Sequence, residues 1–271
     1  MAVIFDGRAH ARMEEDIIRT RVRELKSQYG IFPHLVTILA GDDKASKIYT
    51  RLKKEAAERV GIIFTIRILE ANATTKEIKD FIKEKNKDSN VHGIMVQMPL
   101  PKNIDSKKIV KAIAREKDVD GLRTNSPYIH PTVKAIYEVV EIAANSDKTS
   151  IAVVGAKGMV GGKTAQFLLD KSYSVAGVDM DTKDKVKMLK QADIIIAATG
   201  RAGIISKDMV KKGASVIDVG SPKPEVQTDV SQKAKLITPV PGGIGPMTIA
   251  ELLKNVIIAS EKTIDIANPT A

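Results

Sequence analysis

Few backbone arrangements suit residues 151–163, Ile-Ala-Val-Val-Gly-Ala-Lys-Gly-Met-Val-Gly-Gly-Lys. Ile151 to Val154 are apolar and partly β-branched, which predicts a buried strand. A glycine-rich turn follows, and Thr164-Ala-Gln-Phe-Leu-Leu169 reads as the next helix. Such a turn is an anion cradle: glycine lets backbone approach a phosphate, and the free N–H groups and dipole of a helix start favour negative charge. Gly155, Gly158 and Gly161 are spaced three apart, unlike G-x-G-x-x-G, so by themselves they also suit a tight turn with no ligand. Gly162-Lys163-Thr164 looks like the tail of a P-loop, but that motif needs glycine where Lys157 stands.

The context favours a dinucleotide. Ser174 to Val178 reads as the next strand, and Asp179 at its end lies 24 residues beyond Gly155. A carboxylate about 20 residues on is where a dinucleotide fold grips a ribose.

The rest of the chain alternates helix and strand, which implies parallel sheets. Helical periodicity is expected over residues 10–29 (Met13, Ile17, Ile18, Val22, Leu25) and 45–59, with Ile48, Leu52 and Ala56 on the inner face of the second helix. Strands are expected at 33–40, 62–69 and 91–97, and helices from Thr74 or Thr75 to Lys85 and from Ser106 to Ala114. The pattern restarts at Ile151, with strands at 151–154, 174–178, 193–198, 215–219 and 236–238. A last amphipathic helix is expected over 248–260, placed to pack back on the first domain. The expected class is therefore α/β in two domains: residues 1–121 plus 247–271, and a Rossmann-like dinucleotide-binding domain over 122–246.

At 271 residues, 43% hydrophobic and 28% charged, the chain has the composition of a soluble globular protein. It has no long uncharged apolar run and no signal-peptide layout at its start, so neither membrane attachment nor export is expected and the cytoplasm is the default. It contains no cysteine, which removes disulfides and thiolate chemistry. A net charge of +10 invites a nucleic-acid reading, yet the basic residues are dispersed among acids, and aromatics are only 4% with no Trp for base stacking. The basic balance suits a polyanionic small ligand better. His10, His34, His92 and His130 have neither metal-ligand nor triad spacing, so no metal is expected.

Four side chains could carry chemistry. Tyr49 and Lys53 fall one turn apart on one helix face, beside Ala57 and Val60. A lysine desolvated there would have its pKa lowered toward neutrality, the condition for proton transfer, whereas an exposed one is only a surface charge. Tyr-x-x-x-Lys also resembles the pair in short-chain dehydrogenases, but there the glycine turn precedes the pair within one domain; here it follows about a hundred residues later. Gln97 ends a strand where a parallel sheet opens its ligand crevice, or is simply a solvated strand end. Asp120 is either an ordinary turn residue or an acceptor for two parallel N–H donors of an amidine-like ring edge.

Together with Gly41-Asp-Asp-x-Ala-Ser46-x-x-Tyr49-x-x-x-Lys53, the segments Gly93-Ile-Met-Val-Gln97-Met-Pro-Leu-Pro101, Lys117-Asp-Val-Asp120-Gly121, Ile217-Asp-Val-Gly220 and Thr238-Pro-Val-Pro-Gly-Gly-Ile-Gly-Pro-Met-Thr248 occur in this order. The chain thereby resembles the bifunctional methylenetetrahydrofolate dehydrogenase/methenyltetrahydrofolate cyclohydrolase family along nearly its full length. The resemblance implies an enzyme of one-carbon metabolism, a homodimer with tetrahydrofolate in a cleft between two domains and a nicotinamide cofactor on the second. It implies Lys53 as the acid/base group, Gln97 as its support, Tyr49 packing on the folate and Asp120 holding the pterin. It also implies Pro241, Gly242, Gly243 and Gly245 lining the folate site, and Gly155, Ala156, Lys157, Gly158, Asp179 and Ser221 at the cofactor. A non-catalytic nucleotide- or nucleic-acid-binding protein is the alternative; such a binder has no need of Tyr49, Lys53, Gln97 and Asp120 together.

The chain departs from the family pattern in three places. His130-Pro-Thr-Val-Lys-Ala135 stands for Pro-Cys-Thr-Pro-x-Gly, Ala156-Lys157 for Arg-Ser or Ala-Ser, and Val178-Asp-Met-Asp-Thr182 for Cys-His-Ser-x-Thr. These bear on the cofactor. Asp179 favours ribose hydroxyls and NAD, whereas the resemblance implies NADP. The expectation is NADP, with NAD as the alternative, Lys157 reading the 2′-phosphate and Asp179 turned outward.

Overall fold

The computed structural model describes residues 2–144, 146 and 149–267. The chain forms two compact units, Met1–Ala11 with Thr132–Thr248, and Arg12–Pro131 with Ile249–Ala271.

The second of these is built on three parallel strands in the order β3-β2-β4, where β2 is His34–Ala40, β3 Ile63–Leu69 and β4 Gly93–Val96. The central strand is almost wholly buried because helices cover both faces. On one face Leu35 and Met95 meet Ile18, Val22 and Leu25 of α1 (Gly7–Tyr29), Ala56, Ala57 and Val60 of α2 (Lys44–Val60), and Leu252, Leu253 and Val256 of α8 (Ile244–Ala267). On the other, Val36, Ile38, Ile94 and Val96 meet Ile78 and Ile82 of α3 (Thr75–Lys87) and Ile109 of α4 (Ser106–Ala112). Each fully buried aliphatic side chain contributes about 1.5–3 kcal/mol.

Capping sets the helix starts. Asp43 accepts from the Ser46 N–H at 2.7 Å to start α2, and Thr74 with Glu77 forms a capping box on α3. The buried stripe of α2 is Ser46, Thr50, Ala56, Ala57 and Val60, so that of the expected Ile48, Leu52 and Ala56 it contains Ala56 alone. Ile48 and Leu52 are exposed, as are Met13 and Ile17 on α1. The cause is size: the small residues let α2 lie close on the sheet, and the large ones turn outward.

The other unit is a six-stranded parallel sheet in the order β1-β9-β8-β7-β5-β6: β1 Val3–Ile4, β5 Ser150–Val154, β6 Ser174–Val178, β7 Ile194–Ala197, β8 Ser215–Asp218 and β9 Leu236–Ile237. Strand order reverses at β5, which lies between β6 and β7, so the switch point falls at the carboxyl ends of β5 and β7. The helices of this unit are α5 (Pro131–Ala143), α6 (Met159–Asp170) and α7 (Lys185–Gln191).

Compared with the expected division, the first eleven residues group with the nucleotide-type sheet, because Val3 and Ile4 pair with Leu236 and Ile237. The segment before residue 150, for which no element was expected, holds α5, whose Ile136, Val139 and Val140 pack under β5. Helix α8 begins at Ile244 rather than Thr248: Pro246 falls in its first turn, where its missing N–H has no intrahelical partner to lose.

Candidate functional site

Lys53 is the centre of the first cluster. Helix α2 carries it toward the carboxyl end of β4, where its Nζ donates to Gln97 Oε1 at 3.1 Å and lies 3.3 Å from Met95 Sδ. Gln97 is not a loose strand end. Its N–H continues the ladder to Ile38 O at 2.9 Å, and its Nε2 donates to Met98 O at 2.8 Å, which turns the amide oxygen to the lysine. Burial lowers the Lys53 pKa, and the Asp120 charge partly restores it. An ammonium with one neutral oxygen and one thioether beside it is poorly solvated, so its free-amine form is accessible for proton transfer. Tyr49, one turn earlier, is half-buried, and burial raises its phenol pKa.

Asp120 sits on a turn that the fold holds rigidly. Asp118 is fully buried and accepts the N–H groups of Leu122 at 3.2 Å and Arg123 at 2.9 Å. Gly121 has φ +60°, and a Cβ there would meet the His130 nitrogen at 2.7 Å. Asn255 of α8 donates to Val119 O at 2.8 Å and Ile129 O at 3.0 Å. The structure thus brings Tyr49, Lys53, Gln97 and Asp120 into one unit. Met95, Asp118 and Asn255 escaped the sequence reading; the Lys-Asp-Val-Asp-Gly spacing signalled Asp118, while nothing local marked the other two.

The second cluster is at the switch point. Gly155 has φ +87°, and a Cβ on it would lie 2.5 Å from Ala198 O, so only glycine lets the turn after β5 press against the end of β7. A Cβ on Gly161 would lie 2.2 Å from Gly155 O, so α6 also packs directly on the turn. Among the described residues no side chain caps α6, which leaves its first N–H groups open to an outside acceptor. A glycine cradle at an uncapped helix start, at the switch point, fits a dinucleotide pyrophosphate.

Around this cradle, Asp179 does not turn outward: its Oδ1 accepts the Lys157 N–H at 3.2 Å. Lys157 Nζ is itself paired with Asp181 Oδ2 at 2.6 Å. Ser221 is exposed on the loop after β8, whose Asp218, buried and pushed up in pKa by burial, accepts the N–H groups of Gly220, Glu225 and Val226. Buried Glu225, also missed, accepts from Thr199 N, Thr199 Oγ1 and Gly200 N and fixes the loop after β7. Pro241, Gly242 and Gly243 form the turn after β9, with Gly242 at φ +110° and the Gly243 N–H bonded to Pro239 O at 2.8 Å. Gly245, expected in that loop, lies in the first turn of α8. Among the described residues no helix is long and apolar enough to cross a membrane.

This is the architecture of an α/β enzyme with a dinucleotide-binding domain. The tetrahydrofolate dehydrogenase/cyclohydrolase catalytic domain matches residues 5–120, and the NAD(P)-binding domain of the same family matches residues 130–264. The chain belongs to the tetrahydrofolate dehydrogenase/cyclohydrolase family. It is 38% identical over 273 residues to the bifunctional protein FolD of an Exiguobacterium species, covering 95% of this chain and 98% of that protein. The structure of the bifunctional FolD methylenetetrahydrofolate dehydrogenase/cyclohydrolase of Campylobacter jejuni superposes with a TM-score of 0.91 at 33% identity, over 97% of this chain and all of that one. The Trypanosoma brucei FolD, complexed with NADP and an inhibitor, also gives 0.91, at 31% identity, over 97% and 98% of the two chains.

Proposed function

We propose that this chain oxidises methylene-tetrahydrofolate to methenyl-tetrahydrofolate with NADP and hydrolyses the methenyl compound to formyl-tetrahydrofolate. The observation that carries the reading is Lys53, held by Gln97 and Met95 with its pKa lowered by burial. A family member with a poised lysine in its catalytic domain and a dinucleotide cradle in the other has what both activities need.

The catalytic roles belong to the Lys53 cluster. Asp120 accepts the paired N–H donors of the pterin edge, and Tyr49 packs on the ring. Lys53 takes a proton from the water that adds to the methenyl carbon and returns it as the ring opens. Gln97 fixes the Nζ position through that exchange. Pro241, Gly242, Gly243 and Gly245 line the folate. NADP, when bound, supplies the acceptor for the hydride leaving the methylene carbon. Gly155, Ala156, Lys157 and Gly158 hold its pyrophosphate side, with Asp179 and Ser221 beside them. The NADP in the Trypanosoma brucei relative supports that choice over NAD.

The protein is a cytoplasmic homodimer in this reading. Among the described residues strand β3 is an edge paired with β2 alone, and Ile48, Leu52, Ile63 and Ile68 are exposed on it and on neighbouring α2, a face that a second copy can cover. Its basic side chains pair along helix faces, as in Lys54–Glu58 and Lys76–Asp80, which favours small anionic ligands over nucleic acid.

Purified protein given methylene-tetrahydrofolate with NADP or NAD tests the reading by the appearance of reduced nicotinamide. Decay of the methenyl absorbance tests the hydrolysis. No reduction with either cofactor would refute the dehydrogenase assignment, and light scattering at the mass of one chain would refute the dimer.

A further inference from the structure

The tip of β6, where a dinucleotide fold meets the adenosine ribose, carries more negative than positive charge by itself. Asp179 and Asp181 stand there, and Lys157 is bonded to both. Lys157 is also already engaged: its Nζ is on Asp181 and its N–H is on Asp179. A 2′-phosphate brought to this tip would meet a lysine already neutralised and an uncompensated carboxylate.

One further cation reaches the same place. Arg201 lies on the loop after β7, and its guanidinium contacts the sulfur of Met180, between the two aspartates in sequence. It makes no ion pair with a carboxylate among the described residues. Its backbone is anchored: the Arg201 N–H donates to Thr199 Oγ1 at 3.1 Å, and that hydroxyl donates to buried Glu225 at 2.7 Å. Gly200 adds a 2.7 Å bond to the same carboxylate. The guanidinium is therefore an exposed, unspent charge on a fixed stem, directed to the end of the second strand of the nucleotide unit.

We infer that Arg201, rather than Lys157, is the residue that reads the 2′-phosphate of NADP and sets the preference over NAD. The inference rests on the NADP assignment made above. A guanidinium offers paired N–H donors that match two phosphate oxygens, and it offsets the excess carboxylate that otherwise repels them. Lys157 and Asp181 form a self-neutralised pair that shapes the turn and leaves discrimination to Arg201.

Binding of adenosine 2′,5′-bisphosphate and adenosine 5′-monophosphate, measured by calorimetry, tests this without turnover. Wild type should bind the bisphosphate at least about tenfold more tightly than the monophosphate. Arg201→Gln should erase that preference while leaving monophosphate affinity unchanged, which also reports an intact site. Arg201→Lys should restore part of it. Removing Lys157 and Asp181 together, as alanines, leaves the net charge unchanged and should keep the preference within about threefold. If wild type prefers the bisphosphate and Arg201→Gln keeps that preference, the Arg201 assignment is overturned and the NADP assignment stands. If wild type shows no preference, both fall.

Discussion

Replacing Gln97 with Glu puts the proton chemistry of Lys53 to a direct test. The side chains are nearly isosteric, and the oxygen facing Nζ at 3.1 Å becomes part of a carboxylate. At about 3 Å and an effective dielectric near 20, the added attraction is roughly 5 kcal/mol in favour of the ammonium. Desolvation of the new carboxylate, placed beside the same buried amine, opposes it. A net of about 1.4–2.8 kcal/mol remains, which lowers the fraction of free amine about 10- to 100-fold. Methenyl-tetrahydrofolate hydrolysis, followed by its absorbance from pH 6 to 10, should slow by that factor on its acid limb, and the limb should move to higher pH. Hydride transfer depends on positioning and should change far less. An acid limb that stays in place, or moves to lower pH, would refute Lys53 as the proton carrier.

Lys53→Met should reduce hydrolysis by about 10²-fold or more with only a modest change in folate affinity. The same variant should be more stable at pH 7. With the folded pKa below the ordinary 10.5, the unfolded chain binds more protons between the two values, so the penalty of burying the amine is present at neutral pH, fades as pH rises from the folded pKa to 10.5, and is gone above it. Melting temperatures at pH 7 and pH 10 check this; a variant destabilised equally at both contradicts it. Asp120→Ala should weaken folate binding by roughly 2–3 kcal/mol, read by calorimetry, and an unchanged Kd would return Asp120 to a plain turn residue. Gly155→Ala, with φ +87° and a Cβ 2.5 Å from Ala198 O, should cost at least about 1–3 kcal/mol in urea unfolding and abolish nucleotide binding. Retention of both sinks the cradle argument.

What could be seen in the linear chain follows from the range of the physics involved. Gly155 and Gly161 were visible because a turn of that shape rejects side chains locally, and the Tyr49–Lys53 pair was visible because helical spacing is local. Burial on α2 was misjudged because periodicity marks a face but not which face meets a sheet; Ile48 and Leu52 have the same period as the buried small residues. Strand β1 gave no sign of the sheet it joins, since its partner β9 is more than 230 residues away in the chain. Met95 and Arg201 were invisible for the same reason. Each owes its position to a neighbouring strand, and no residue next to either in sequence hints at the lysine or the methionine it touches.

The pairing of β1 with β9 also orders events in time. Emerging from the ribosome, Val3 and Ile4 have no strand to join until Leu236 and Ile237 have been made. The core around Leu35 and Met95 waits longer still, for Leu252 and Val256. Neither unit is a contiguous segment: the six-stranded one is complete only when the chain reaches Thr248, and the three-stranded one only with the stretch of α8 that follows. A nascent chain arrested before residue 236 should hold its central strands open to protease and to chaperones. Release of the full chain should close both units within a short interval of each other.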